Sequence, residues 1–527
     1  VAPRRVVPGL LAVLQLAPAA PPNLLFVYLD QWRFDWAGFN APQLRVPNLV
    51  SIASKGTRFS HAFTPAPLCA PARGALASGK EYDESPLPDN FMDYPIDGSN
   101  PTYFLQLQKA GYHVMMAGKD HLTMKIGCGT NGSIHAVQLG FSDWERMPDK
   151  YEAFLRGKPY DQWTKNLEEH GEFDSVRACY GVTGDGDCCD QFQGVEFGAF
   201  CPRTQPAGDA EIVYPDDWTE ASAERLLDRK PVGRPWFLQV GFPGPHPPFI
   251  LTEAMNKSVE GRTYPSPQGS SVPLGDEFYM TMRRQYAAEI EHIDLLIGKL
   301  LKKLEGLGQL ENTVIAVAAD HGEMLGDYNR YGKAMPWDGS SRVPMLWKGP
   351  GVREGVVLSR PVTTLDVAGT LLELAGADRA AHMTTQSMVP LLSSGTGGRS
   401  FVRSGLGGPA FTGDPEVEGR SRHHFPPPGG RVDWRMVVKQ YNDTSTLKVV
   451  CCPSGCSSIN GNTTLFPPSR GTAQLLLMEI SGDQIEVDLL SQGIGSTEAS
   501  ELVAHLPSPY RAACAGLASS TASEVVV

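Results

Sequence analysis

Five short apolar runs constrain this chain more than any other feature. They are "NLLFVYLD" (23–30), "YHVMMAGK" (112–119), "PWFLQVGF" (235–242), "TVIAVAAD" (313–320) and "VPMLWKG" (343–349). Each is continuously apolar rather than alternating, which is the pattern of a strand buried on both faces. Helical patterns lie between them. "NPTYFLQLQKAG" offers Asn100 as a cap, Pro101 in the first turn and Gly111 as a stop. Residues 216–229 begin with acids and end with Arg229. Residues 277–305 carry Tyr286, Ile290, Ile293, Ile297, Leu300, Leu301 and Leu304 at the spacing of one buried face. "TLDVAGTLLELAG" (364–376) is a fourth helix, closed by glycine. Doubly buried strands alternating with helices predict an α/β fold, with a large mixed, mostly parallel sheet sandwiched by helices.

The 527 residues exceed one average domain. The main unit is expected over 22–395, with a Gly- and Cys-rich insertion at about 125–215. From about 395 the chain turns Gly-, Pro- and Ser-rich, then offers "WRMVVKQYN", "LKVVCC" and "AQLLLMEI". That predicts a smaller C-terminal antiparallel-sheet subdomain over 396–510 and a tail at 511–527. Open sheets of this kind bind ligands at the C-terminal ends of their strands. Asp30, Lys119, His246, Asp320 and His321 all follow strands, so they are expected to converge.

Net charge is −12, which excludes the broad basic face of a nucleic-acid binder but permits a local cationic pocket for a small anion. Arg4 and Arg5 precede "VVPGLLAVLQL", and Ala17-Pro18-Ala19 resembles a cleavage site. Residues 1–20 are therefore expected to be a signal peptide, and the protein secreted or lumenal in the secretory or lysosomal pathway. Sequons at Asn131, Asn256, Asn442 and Asn462 agree with that expectation. No later run has the length and apolarity of a membrane span, so no stable membrane insertion is expected. Ten cysteines, clustered at Cys179, Cys188, Cys189 and Cys201 and at Cys451, Cys452 and Cys456, read as disulfides. Zinc is the rival for the first cluster, which lacks a C-x-x-C pair. With Cys69 set aside the number is odd, and Cys128 or Cys514 is the candidate unpaired thiol. The rings of "YDQW" (160–163) and "YPDDW" (214–218) could stack on sugars or simply pack.

Cys69 sits in "PLCAPARGALASGK" (67–80), with Arg73 four residues on and Ser78-Gly79 beyond. By itself it could be a buried thiol, half of a disulfide, a thiolate nucleophile or the precursor of another group. "CAPARGALASG" resembles the C-x-P-x-R signature of the type I (formylglycine-dependent) sulfatases, in the alkaline phosphatase-like superfamily. "GYHVMMAGKDH" resembles their second signature, with Lys119 and His121 two apart. "NLLFVYLDQWRFDWAG", "GPHPPF" and "ADHGEMLGD…GKAMPWDGSSRVPMLWKGPG" resemble further blocks of that family, in its order, across roughly 22–395.

The resemblance implies a sulfatase acting on a sulfate monoester of a small molecule or glycan. It implies that a formylglycine-generating enzyme oxidises Cys69 to formylglycine (3-oxoalanine) before folding. The hydrated aldehyde has two hydroxyls: one attacks sulfur and takes the sulfate; loss of the other's proton reforms the aldehyde and expels sulfate. Cys69 is then nucleophile and metal ligand. Asp30, Asp320 and His321 are implied metal ligands, with Gln31 a further candidate through its amide oxygen. Arg73 steadies the modified side chain, Lys119 and Lys333 bind sulfate oxygens, His121 is the base, and His246 with Lys333 protonates the leaving oxygen. Mostly oxygen ligands suit Ca²⁺, with Mn²⁺ or Mg²⁺ as alternatives.

Gln31 and His321 replace the Asp and Asn that many members carry, and Ala72 and Ser78 stand where the motif has Ser and Thr. The Asp-Gln and Asp-His pairs resemble a subgroup of choline-sulfatase-like and phosphonate monoester hydrolase-like enzymes. A formylglycine-dependent phosphonate monoester or phosphodiester hydrolase is therefore the alternative reading. A non-catalytic secreted glycan-binding relative is the third.

Overall fold

The computed structural model describes residues 21–39, 43–90, 92–122, 130–150, 154, 158–179, 210–268, 276–407, 433–442, 445–453, 474–481, 487–488 and 496–518. The expected signal peptide, Cys128, Cys188, Cys189, Cys201, Cys456 and Asn462 lie outside them. Asn256 and Asn442 are exposed.

Among the described residues, ten strands belong to the main unit: β1 (Asn23–Leu29), β2 (Thr57–Phe59), β3 (Ala62–Phe63), β4 (His113–Lys119), β5 (Asp143–Met147), β6 (Trp236–Phe242), β7 (Thr313–Ala319), β8 (Met345–Lys348), β9 (Val356–Leu358) and β10 (Val362–Thr363). Eight form one sheet in the order β5-β4-β6-β1-β7-β8-β2-β9, while β3 and β10 pair apart. The strands from β5 to β7 run parallel; β8 is antiparallel to both β7 and β2. Every residue of β1, β6 and β7 is buried. Successive side chains of a strand point to opposite faces, so both faces of the sheet are covered, and the fold is the expected mixed, mostly parallel α/β sheet between helices.

The longest helix spans Asp276–Gly306. Its Tyr286, Ile290, Ile293, Ile297, Leu300 and Leu304 are buried, with Leu301 at the margin of the stripe. The helix expected to start at Asn100 runs Tyr103–Lys109 instead. Thr102 caps it, its hydroxyl accepting from Leu105 N at 3.2 Å. Asn100 accepts from Lys80 Nζ at 2.8 Å and is spent there.

One expected boundary needs correction, and one open alternative is decided. The 125–215 stretch is not wholly an insertion, because β5 extends the main sheet at its edge. Its sequence, "DWERM", is half-buried and charged and lacks the apolar run of the inner strands. Tyr214, Trp163 and Trp218 are buried, the two tryptophans in a cluster with Met147 and Phe154, so these rings pack rather than offer a sugar platform.

A second sheet of five strands follows: β11 (Val402–Gly407), β12 (Asp433–Gln440), β13 (Ser445–Cys452), β14 (Gln474–Ser481) and β15 (Val487–Asp488), antiparallel throughout and in chain order. Its faces alternate as a strand's period of two requires. Trp434, Met436 and Val450 join Phe63, Leu68, Ala334 and Trp337 of the main unit in one core. Val437, Val449 and Leu477 face the helices Ser496–Val503 and Ser508–Ala518. The expected tail at 511–527 thus begins inside a packed helix. Cys514, expected as a candidate unpaired thiol, is bonded to Cys451 of β13, because that helix lays it against the sheet. Cys452 is also disulfide-bonded.

Candidate active site

The parallel strands end in one row. Leu29 is level with Phe242 and Ala319, and Lys119 with Met147. The residues just past this row form the site: Asp30 and Gln31 after β1, Asp320 and His321 after β7, His121 after β4, His246 after β6 and Asp149 after β5. The strand backbones approach closely here. Gly118 has φ +81°, and a Cβ on it would lie 2.3 Å from the Gly241 carbonyl oxygen, so only glycine fits.

Cys69 opens the helix Cys69–Ser78, so its side chain sits at a helix N-terminus, where unpaired backbone N–H groups favour negative charge. Its Sγ lies 3.2 Å from His321 Nε2 and accepts from Lys333 Nζ at 2.8 Å. Among the described residues it is the one free cysteine, so it is not half of a described disulfide. Burial pushes this thiol up to about 12, so as a plain thiol it is a poor nucleophile near neutrality. Its sulfur stands where the oxygens of a modified side chain would be.

Arg73, one turn further on, holds the two acids together. Nε donates to Asp320 at 2.9 Å, one Nη to Asp30 at 3.3 Å and the other to the Lys119 carbonyl at 2.9 Å. Its guanidinium lies 4.8 Å from the Tyr28 ring centre. Lys119 Nζ is paired with Asp30 and Asp149. Burial would lower the Lys119 ammonium, but Asp149 and Asp30 hold it well above the usual lysine range. Burial would likewise raise the Asp30 carboxyl; Lys119, His246, Arg73 and Lys333 hold it well below the usual range. Lys333 Nζ also donates to Gln31 Oε1 at 2.9 Å, while the Gln31 Nε2 donates to Glu323.

The three histidines are neutral near pH 7. Burial holds His121 and His246 well below the usual imidazole range and brings His321 down to about 4. Neither nitrogen of His121 has a hydrogen-bond partner among the described residues. His246 Nδ1 donates to the Pro247 carbonyl at 2.5 Å, which leaves Nε2 for a ligand. Gln31, His121 and Ala334 all hold left-handed backbone, with φ of 62°, 49° and 73°. Such strain persists only where surroundings enforce it, and it clusters at functional sites.

Ligand atoms of Asp30, Cys69, Asp320 and His321 all lie within 4.8 Å of one another. Asp30 Oδ1 is buried with no hydrogen-bond partner among the described residues. A buried carboxylate oxygen left so beside a second acid and an imidazole fits a divalent cation. Thus the structure brings together Asp30, Gln31, Cys69, Arg73, Lys119, Asp320, His321 and Lys333 through the contacts above, with His121 and His246 close enough that the charges of Asp30 and Lys119 act on their protonation.

Sequence reasoning missed Asp149 and Glu323. Glu323 lies inside the quoted block "ADHGEMLGD", so its signal was present. Asp149 follows a strand that the apolar pattern did not reveal.

Comparison with known proteins points the same way. A family model described as Sulfatase matches residues 22–377. The choline-sulfatase of Rhizobium meliloti is 28% identical over 386 residues, covering 67% of this chain and 68% of the relative. Two solved structures share the fold. The phosphonate monoester hydrolase of Agrobacterium radiobacter superposes with a TM-score of 0.62 at 20% identity, covering 89% of this chain and 90% of that one. A protein solved with its substrate D-glucosamine-2-N,6-O-disulfate superposes with a TM-score of 0.59 at 16% identity, covering 90% and 92%.

Proposed function

The chain belongs to the sulfatase family, and from that premise we propose that it is a sulfuric ester hydrolase that cleaves a sulfate monoester by way of formylglycine at position 69. One observation carries the reading. The Cys69 side chain lies at a helix N-terminus within 4.8 Å of two carboxylates and an imidazole, and Lys333 donates to it. A plain thiol pushed up to about 12 gains little from that setting, whereas a hydrated aldehyde uses all of it. Oxidation by a formylglycine-generating enzyme would supply that hydrate, one hydroxyl acting as nucleophile and the other releasing sulfate. A divalent ion, Ca²⁺ by preference and Mn²⁺ or Mg²⁺ otherwise, would be held by Asp30, Asp320, His321, residue 69 and the Gln31 amide oxygen and act as a Lewis acid.

The chain's own residues do the rest. Arg73 fixes the spacing of Asp30 and Asp320 and holds the end of β4 beside them. Lys119 and Lys333 bind sulfate oxygens as point charges in a dry site, where such charges are strongest. His121, neutral and without a hydrogen-bond partner among the described residues, takes a proton from residue 69. His246 presents Nε2 and, once protonated, passes that proton to the leaving oxygen together with Lys333.

A relative named choline-sulfatase and a neighbour solved with a sulfated glucosamine support sulfated small molecules or glycans as the substrate class. The Cys451–Cys514 bond supports maturation in an oxidising compartment, hence a secreted or lumenal location. No helix among the described residues is long and apolar enough to cross a membrane. The second reading, a phosphonate monoester or phosphodiester hydrolase, is favoured by Gln31, which removes one carboxylate from the site.

The test is mass spectrometry of the tryptic peptide 59–73 from protein made in a secretory host, with turnover of 4-nitrophenyl sulfate and bis(4-nitrophenyl) phosphate measured alongside. Hydrazide-trappable aldehyde at residue 69, loss of turnover in Cys69→Ala and preference for the sulfate are expected. An unmodified thiol in active protein would refute the mechanism; preference for the phosphodiester would select the second reading.

A further inference from the structure

We propose that the C-terminal sheet is part of the catalytic apparatus, with Trp434 and Lys448 acting as positioning residues for Lys333. This rests on the sulfate-binding role of Lys333 proposed above. Lys333 reaches the site from an irregular segment that is held peptide by peptide. Gly332 N donates to Glu323 Oε1 at 2.5 Å, and its carbonyl accepts from Met324 N at 2.9 Å. Ala334 N donates to the Pro67 carbonyl, two residues before Cys69, at 2.9 Å. The Ala334 carbonyl, by contrast, accepts from the indole Nε1 of Trp434 on β12 at 3.1 Å. The Pro336 carbonyl accepts from Lys448 Nζ on β13 at 2.9 Å, and that ammonium also binds Asp338 at 2.8 Å. These donors come from 100 and 112 residues away. Trp434, Lys448 and Ala334 are all buried.

The strain at Ala334 makes these contacts matter. An alanine at φ 73° is in a conformation that L-residues avoid, so its peptide returns to ordinary backbone unless it is held. The residue before it is Lys333, so relaxation at Ala334 swings the lysine stem away from Cys69 Sγ and Gln31 Oε1, now 2.8 and 2.9 Å from its Nζ. The main unit fixes Ala334 through its N–H, and the second sheet fixes it through its carbonyl. Both ends must be held for the peptide to keep its orientation.

The experiment is a double-mutant cycle on the metal-loaded full chain, read as inorganic sulfate affinity by titration calorimetry, with cooperative melting as the folding control. Trp434→Phe keeps an aromatic ring at this buried position but removes the donor together with part of the indole, so melting is read beside it; loss of the donor should weaken sulfate binding about fivefold, the worth of one net hydrogen bond. Lys333→Ala should weaken it roughly 50-fold, as expected for a contact to a charged group. Trp434→Phe combined with Lys333→Ala should bind no more weakly than Lys333→Ala alone, because Trp434 acts only through the lysine. Wild-type affinity in Trp434→Phe, or losses that multiply in the double variant, would overturn the proposal while leaving the role of Lys333 intact. Wild-type affinity in Lys333→Ala would instead refute the sulfate-binding role of Lys333. Should Trp434→Phe not melt cooperatively, Lys448→Met runs the same cycle with the same outcomes.

Discussion

Lys119 illustrates how far a single side chain's chemistry depends on partners distant in sequence. Its ammonium is buried between Asp30 and Asp149. Asp30 belongs to the candidate metal centre, so Asp149 is the carboxylate outside that centre that pairs with Lys119, while its other oxygen accepts from the Lys150 N–H at 2.6 Å. Asp149→Asn should therefore lower kcat/KM by about tenfold or more, since it removes a charge-assisted contact on the order of 1.5–3 kcal/mol. Steady-state kinetics on 4-nitrophenyl sulfate would check this, and an unchanged kcat/KM would show that Asp30 suffices. The histidines make a second prediction. A base that must be neutral limits kcat/KM on the acid side, and an acid that must be protonated limits it on the alkaline side. Burial holds both His121 and His246 well below the usual range, so both limits move toward acid. The pH profile of kcat/KM should peak below about pH 6.5. His246→Gln should lower kcat by on the order of 10²-fold and abolish the alkaline limb. A wild-type maximum above neutrality would contradict the assignment.

At the scale of elements, the site is a row of strand ends plus one helix N-terminus. The inner strands were legible in the sequence because double burial leaves short, continuous apolar runs, each followed by polar residues and separated from the next by a helical pattern. Asp30 and Asp320, which terminate two such runs, were legible for the same reason. The edge strand β5 was not, because an edge is half-solvated and carries Asp143 and Glu145, which pair with Arg229. Asp149 was lost with it. Caps are similarly ambiguous: Asn100 and Thr102 are both good N-caps, and the choice was made by a tertiary partner, Lys80. Asp161 is a cap of another kind. It closes a capping box on the helix Gln162–Glu169, and burial pushes its carboxyl up to about 6 against the hydrogen bonds from Thr164. An acid raised in the folded state binds more protons there than in the unfolded chain, so its contribution is greatest below about pH 3.9 and is lost as pH rises toward 6. Asn caps as well as Asp and carries no charge to bury. Asp161→Asn should match the wild type near pH 4 and be more stable by on the order of 3 kcal/mol above pH 6. Melting at pH 4 and 7.5 would check it, and an equal offset at both values would sink the linkage argument.

At the scale of the whole molecule, the second sheet was foreseen as an appendage, and the structure makes it a wall of a shared core. No sequence pattern says which main-unit residues Trp434 or Met436 will meet, since alternation reveals a strand's two faces but not their partners. One face of this sheet packs on Leu68 and Ala334, neighbours of Cys69 and Lys333; the other packs on the C-terminal helices. The Cys451–Cys514 bond ties the last described helix to the middle of the sheet across a separation of 63 residues. A loop of that length corresponds to about 4 kcal/mol in the chain-entropy picture. Because the core on the other face is shared, loosening the helix should be felt by the whole fold. Cys451→Ala combined with Cys514→Ala should therefore lower the melting midpoint by a few degrees, because the shift per kcal/mol falls below the roughly 2–4 °C of a domain of about 150–250 residues when the unfolding unit is larger. Sulfatase activity should be lost on heating at the same lowered temperature. Calorimetry with parallel activity measurements decides the matter. A single transition that coincides with inactivation means the C-terminal sheet and the active site unfold as one unit. An early transition that leaves activity intact means the sheet can leave without disturbing Lys333, and the shared core would then be packing without mechanical consequence.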